Sequence, residues 1–407
     1  MSAASSARTG AAAGRAAGRR PVVGRVVGIV LLVVAAVLPF LHRLVPGVFD
    51  GPLDSPGVLH LVALMLVFGA LAITYDLLFG YTGLLSFGHA LYFALGVYGT
   101  VVVLTKFSLG LVGTLLVVAI VGIVVPLVIG LICLRVNGIA FAMVTLAFAQ
   151  AGTIFVTRDP LRVTGGELGK ALPFDHVPAA LTGVLNTRNV YWVALVLLVV
   201  VYAVSRVATA SPTGRVWQGI RENERRVEVL GLNPTWYKLA VFVLASFLAT
   251  VCGVVYVLVV GGASPTVTTA TFTLTLLVMV VLGGAGRLWG AMLGGMLYTY
   301  LDNRLAQLAT SGTVQDLPSW VRVPLSEPLF VLGLLFVIVV LYLPGGVAGL
   351  VSGRGPGSTG TRGPGNRLRA LSRRSEARGS EGDDNESAPR RQPPATDSRT
   401  HEEVGQR

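Results

Sequence analysis

Long apolar runs separated by short polar stretches set the pattern of this chain. They cover about residues 22–40, 58–79, 84–104, 109–134, 139–156, 190–207, 239–260, 271–282, 288–301 and 329–350. A helix needs about 20 apolar residues to cross a bilayer, and most of these runs approach that length. The pattern predicts an all-α, polytopic membrane protein with about ten transmembrane helices. The first run is too long for the core of a signal peptide, and Leu38-Pro39-Phe40-Leu41-His42-Arg43 offers no small-residue cleavage site. It is read as a retained span.

One polar segment, residues 206–238, carries its own helix signals. Ser211 can cap a helix whose first residue is Pro212, and Gly231 followed by Asn233-Pro234 can end it. Val216, Ile220, Val227 and Leu230 fall near one stripe, while Arg215, Arg221, Glu222, Glu224, Arg225 and Arg226 crowd the remaining surface. The expectation is a short helix in water with a face for docking.

Composition sharpens the membrane reading. Of 407 residues, 53% are hydrophobic and 13% charged, and the mean hydropathy is +0.72. Soluble domains carry about 25% charged residues. The net charge of +12 could point to nucleic acid, but eleven arginines lie from Arg354 onward and four (Arg8, Arg15, Arg19, Arg20) precede the first apolar run. Basic arms flanking spans are an orientation signal, and they place both termini in the cytoplasm. That requires an even number of spans, which ten satisfies. Six crossings return the chain to the cytoplasm at Arg206, where Arg206, Arg215, Arg221, Arg225, Arg226 and Lys238 are found. Residues 159–188 then face outside. The domain reading is a disordered basic arm over 1–21, a membrane domain over 22–351 and a disordered tail over 352–407. Three lysines among 32 basic residues suit a GC-rich bacterial source.

Candidate chemistry is sparse. Cys133 and Cys252 both sit in apolar runs, so neither a disulfide framework nor a metal-ligand spacing is available. Gly283-Gly284-Ala285-Gly286-Arg287 lacks the Gly-Lys-Ser/Thr ending of a phosphate-binding loop. No zinc-protease motif or nucleophile elbow occurs either, so the reading has no catalytic residues, no metal and no nucleotide site in this chain. The informative stretch is Gly80-Tyr81-Thr82-Gly83-Leu84-Leu85-Ser86-Phe87-Gly88-His89-Ala90. Its small residues either break a helix where a polar solute passes or let helices pack closely. His89 favours the first reading, because an ionisable side chain at depth is expensive. A buried histidine bonded to a neighbour is the other. Asp76, four residues before Gly80, suits a membrane edge. Thr164-Gly165-Gly166 either receives a ligand or turns the chain.

These motifs together resemble a known family. The Gly80 to Ala90 stretch, Thr164-Gly165-Gly166, Ser211-Pro212-Thr213-Gly214-Arg215 with Ile220-Arg221-Glu222-Asn223-Glu224, Leu230-Gly231-Leu232-Asn233 and the closing Leu343-Pro344-Gly345-Gly346-Val347-Ala348-Gly349-Leu350 look like the LivM-type permease of the branched-chain amino acid ABC importers. The resemblance implies a permease subunit in a bacterial cytoplasmic (inner) membrane. Its partners would be a second related permease, two cytoplasmic ABC ATPases that bind ATP and magnesium, an external solute-binding protein and membrane lipid, with no nucleic acid. It implies ATPase coupling through Ser211, Gly214, Arg215, Ile220, Arg221, Glu222, Asn223, Glu224 and Gly231, and a translocation pathway past Tyr81, Thr82, Gly83, Ser86, His89, Thr164, Gly165 and Gly166. Glu167 departs from the small or amide residue the family more often places after the two glycines. The implied solutes are leucine, isoleucine and valine, with related amides or urea beside them. A secondary transporter of a small polar solute is the alternative; it needs coupling-ion sites in mid-membrane, for which Asp76 and Asp302 are the chief candidates. A membrane enzyme lacks a catalytic constellation.

Overall fold

Ser55 starts the first long helix: its Oγ accepts the Val58 N–H at 3.4 Å, and Pro56 fills the first position, where a missing N–H is harmless. This computed structural model describes residues 37–40, 51–107, 109–183, 186–309, 327–342 and 345–351, all within the unit Met1–Gly355. The expected arm over 1–21, the tail over 352–407 and nearly all of the first expected span lie outside the described residues.

The helices are α1 (Pro56–Asp76), α2 (His89–Phe107), α3 (Leu111–Cys133), α4 (Ile139–Arg158), α5 (Thr187–Ala210), α6 (Pro212–Val229), α7 (Pro234–Val260), α8 (Ala270–Gly283), α9 (Leu288–Ala309), α10 (Pro328–Tyr342) and α11 (Gly346–Val351). Two short strands, β1 (Lys170–Ala171) and β2 (Gly262–Ala263), pair antiparallel and join the loop after α4 to the turn after α7. The fold is that of an all-α polytopic membrane protein.

Among the described residues, six helices are long and apolar enough to cross a membrane: α1 continued to Thr82, α2, α3, α4, α5 and α7. The runs expected as separate spans at 271–282 and 288–301 form α8 and α9, a pair bent by 120° at residues 284–287. With 14 residues, α8 reaches about 21 Å, short of the roughly 30 Å hydrocarbon layer. The last expected run is divided into α10 and the short α11. Counted with the bent pair as one, the described spans number up to seven.

Burial sorts the helices into a core and a rim. In α1, α2 and α7 the apolar window is 61–67% buried inside the protein, while in α3 and α4 it is 28%. Tyr75, Tyr92, Phe93 and Phe242 are enclosed at the centre. Cys133 and Cys252 are both fully buried thiols. At the α2–α7 crossing Gly96 and Gly253 let the two backbones touch: a Cβ at Gly253 would collide with Phe93 O, and one at Gly96 with Thr250 O. Thr250 Oγ1 reinforces the contact by donating to Tyr92 O at 3.0 Å.

Because that crossing is backbone against backbone, Gly253→Ala should destabilise the bundle by about 1–3 kcal/mol. Thermal unfolding in detergent should show a lowered midpoint for Gly253→Ala and an unchanged one for Gly57→Ala, whose Cβ would meet nothing within 4 Å.

Candidate functional site

The first long helix does not simply end. From Leu77 to Thr82 its turns widen into a π-helical segment, Gly83 takes a left-handed φ of 76°, and regular structure resumes only at His89. Such an interruption frees backbone groups that an apolar bundle leaves without partners. Side chains from distant helices supply the partners. Phe87 N–H donates to Thr145 Oγ1 of α4 at 3.2 Å, and Ala90 N–H donates to Thr273 Oγ1 of α8 at 3.1 Å. Gly88 N–H goes to Ser86 Oγ at 3.3 Å, Leu84 N–H to Leu78 O at 2.9 Å, and Tyr75 donates its hydroxyl to Ser86 O at 3.2 Å.

The expected pathway residues within this break have unequal exposure. Gly83 is exposed and Tyr81 half-buried, whereas Thr82, Ser86 and His89 are buried. Thr82 Oγ1 donates to Leu77 O at 3.0 Å. His89 Nε2 lies 2.9 Å from Thr74 Oγ1. The Thr74 hydroxyl also lies 2.7 Å from Leu71 O, to which it can donate. The histidine ring stands edge-on to Tyr75 at 5.3 Å, and its Nδ1 has no partner among the described residues. His89 is thus packed among side chains in this conformation.

The loop helix α6 follows its sequence signals at both ends. Ser211 Oγ accepts the Gly214 N–H at 3.2 Å, and Gly231 closes the element with a φ of 81°. Gly214 is buried where a Cβ would meet the Ala208 and Thr209 carbonyls. Asn223 leaves helical geometry, and its Oδ1 accepts the Arg226 N–H at 3.0 Å, so it caps a second short helical piece. Ile220, Val227 and Trp217 are buried, with Trp217 Nε1 donating to Tyr237 O at 2.9 Å. Leu230, expected on that apolar stripe, is instead 73% exposed at the C-cap, past the last helical residue.

The charged residues of α6 divide in two. Arg215, Glu222 and Asn223 are exposed. Glu224 instead pairs with Lys238, which is 4% exposed and also donates to Asn137 Oδ1 at 3.0 Å. Arg221, although exposed along much of its length, donates a guanidinium N–H to Gly80 O in the π-helical segment. Asp76, fully buried, accepts the Gly286 N–H on Oδ1 at 2.7 Å, which brings the turn between α8 and α9 to the same place.

Thr164, Gly165 and Gly166 lie elsewhere, in the loop that follows α4. Thr145 meets the break 14 residues before Asp159, about 21 Å along the helix. The structure therefore does not bring these three residues together with Tyr81, Thr82, Gly83, Ser86 and His89. Asp159 organises the loop: its carboxylate accepts the N–H groups of Val163 (2.6 Å), Thr164 (3.0 Å) and Gly165 (3.0 Å). These hydrogen bonds, led by the Thr164 amide, hold the carboxyl down at about 2. Gly165 and Gly166 have φ values of 82° and 59°, and Thr164 Oγ1 donates to Val156 O at 2.8 Å. Among the described residues no group of three His, Cys, Asp or Glu is placed to hold a metal ion.

Sequence reasoning missed Thr145, Thr273, Asn137, Lys238 and Gly286 as members of the site, and it read Asp76 as an edge residue and a candidate coupling-ion group without its tie to the α8–α9 turn. Only Asp76 carried a signal, a carboxylate inside an apolar run. The others are ordinary residues made important by partners far away in the chain.

Since the Asp159 carboxyl is depressed, its support for the loop is complete above the ordinary carboxylate range near 4 and is lost only as pH falls toward 2. At neutral pH, Asp159→Ala should therefore open the loop. Trypsin should cut after the exposed Arg162 several-fold faster in that variant, with Glu167→Ala cut at the parental rate.

Residues 57–343 match the family described as branched-chain amino acid transport system / permease component. The high-affinity branched-chain amino acid transport system permease protein LivM of Salmonella typhimurium is 26% identical over 269 residues, 60% of this chain and 62% of that protein. The LivM protein of Escherichia coli K12 is also 26% identical, over 265 residues, with the same coverage. The ribose import permease protein RbsC of Haemophilus influenzae is 24% identical over 187 residues, 44% of this chain and 56% of that protein. The chain thus spans less than two thirds of the length of these relatives. No solved structure matches the chain. The family match begins within the first turn of α1 and takes in the broken span, the loop helix and the α8–α9 turn, so the chain belongs to the branched-chain amino acid transport permease family.

Proposed function

We propose that this chain is the permease subunit of an ATP-driven importer that carries branched-chain amino acids, or related amides or urea, into a bacterial cell by alternating access. The observation that carries this reading is α6, a capped helix between two spans. It presents Arg215, Glu222 and Asn223 outward and is fixed to the spans through Glu224 and Lys238. A helix of that kind can receive a push from a soluble motor and pass it to the membrane. The motor in this proposal is a pair of ABC ATPases that bind ATP and magnesium. A second related permease completes the pathway, and an external binding protein delivers the solute.

The orientation belongs to the same proposal, with α6 and both termini in the cytoplasm and the loop around Asp159 outside. Two observations support opposite sides for α6 and that loop. The helix joining them, α5, has 24 residues and runs about 36 Å, enough to cross the bilayer. The β1–β2 pairing gathers the loop after α4 and the turn after α7 at one end of the bundle. Relatives that are named for ribose import as well as branched-chain amino acids suit a scaffold whose solute choice is made largely by the binding protein. Buried Asp76 favours the second reading, a secondary transporter, because an enclosed carboxylate is what ion coupling uses.

Uptake of leucine into vesicles that carry the chain with its partner permease, ATPases and binding protein should require ATP. An ion gradient that drives uptake without ATP would establish the secondary transporter instead. In the assembled importer, combined Glu222→Ala and Asn223→Ala substitutions should lower uptake at least tenfold and release the ATPases, while the chain stays in the membrane; full uptake would remove α6 from the mechanism.

A further inference from the structure

Glu222 and Asn223 face away from the chain, but Arg221 beside them reaches inward. Its guanidinium donates to Gly80 O, in the π-helical segment that opens the broken span. A Cβ at Gly83 would stand 3.2 Å from Arg221 Cγ, so the aliphatic part of the arginine lies along the same segment. A Cβ at Gly286 would stand 2.9 Å from Arg221 Nη1, which places the α8–α9 turn against the guanidinium as well. Behind these contacts lies Asp76. Its Oδ1 accepts the Gly286 N–H at 2.7 Å, which ties the α8–α9 turn to the last residue of α1.

One side chain of the loop helix therefore touches the break between α1 and α2 and the turn between α8 and α9. We infer that Arg221 is the pin that makes α6, the broken span and the α8–α9 turn move as one body. It acts through the backbone it holds, so it is a positioning residue. A guanidinium suits the task because it donates several N–H groups in a fixed plane and keeps its charge beside apolar surface, whereas an ammonium is a single, strongly hydrated point.

The use of this link in import rests on the function proposed above, but the link itself belongs to the chain and is measurable without transport. Leu85, half-buried in the break, is a reporter position, and the two native thiols are fully buried. In the full chain in lipid nanodiscs carrying Leu85→Cys, adding Arg221→Gln should raise the rate of maleimide labelling about tenfold. Arg221→Lys should give an intermediate rate, and Arg225→Gln, at an exposed neighbour, should leave it unchanged. In the assembled importer, Arg221→Gln should keep the ATPases bound and hydrolysing ATP within about twofold of the parent, with uptake down tenfold or more. Unchanged labelling in Arg221→Gln would overturn the pin, and lost ATPase binding with unchanged labelling would make Arg221 a docking contact. Faster labelling with full uptake would overturn its coupling role. If the unmutated assembly shows no ATP-dependent uptake, the importer reading fails, while the labelling series still decides whether Arg221 holds the break.

Discussion

A backbone that leaves helical geometry inside an apolar bundle must find its hydrogen bonds within the protein, and that requirement organises this molecule around the break between α1 and α2. Thr145 of α4 and Thr273 of α8 are drawn in to accept the Phe87 and Ala90 amides. Each bond fixes the position of a whole helix against the break. A buried amide left without its partner costs about 1–3 kcal/mol, so the interruption persists only while α4 and α8 remain where they are. The same dependence makes it a natural place for movement, because a shift of either helix alters the break directly.

Charge plays the complementary part at the ends of the bundle. Lys238 is nearly enclosed and holds both Glu224 of α6 and Asn137 of the turn between α3 and α4. Asp76 holds the α8–α9 turn through Gly286. Removing the partner of the enclosed Lys238 leaves an uncompensated charge and is more disruptive than losing an exposed pair. The loop helix is therefore anchored at two places along its length, once to each side of Asn223. At the far end of α4, Asp159 gathers three backbone amides of its own loop.

The helices were legible in the sequence wherever one run of apolar residues made one helix. So were the ends of α6, because Ser211-Pro212 and Gly231 act on their immediate neighbours. The α8–α9 bend was not, since two apolar runs around a glycine-rich turn look the same whether the chain crosses the membrane twice or folds back. Nor was the division among the charged residues of α6. Arg221 turns inward to a carbonyl 141 residues earlier, and Glu224 to a lysine in the next helix, while Glu222 and Asn223 between them stay exposed. Residue type alone could not separate these roles. For Thr164-Gly165-Gly166 a ligand and a turn were equally open, and the group that organises the loop, Asp159, lay five residues before Thr164. Its carboxylate accepts the Val163, Thr164 and Gly165 amides. His89 stood out by type, but its enclosure by Thr74 and Tyr75 depends on packing.

The central claim is that the break is an ordered, internally bonded interruption held by α4 and α8. Hydrogen–deuterium exchange of the full chain in lipid nanodiscs tests it at the amides concerned. Phe87 and Ala90 should exchange as slowly as the interiors of α2 and α7, and they should become at least tenfold faster in Thr145→Val and Thr273→Val respectively. Fast exchange at both amides in the unmutated chain, comparable to that at exposed Leu168, would contradict the account.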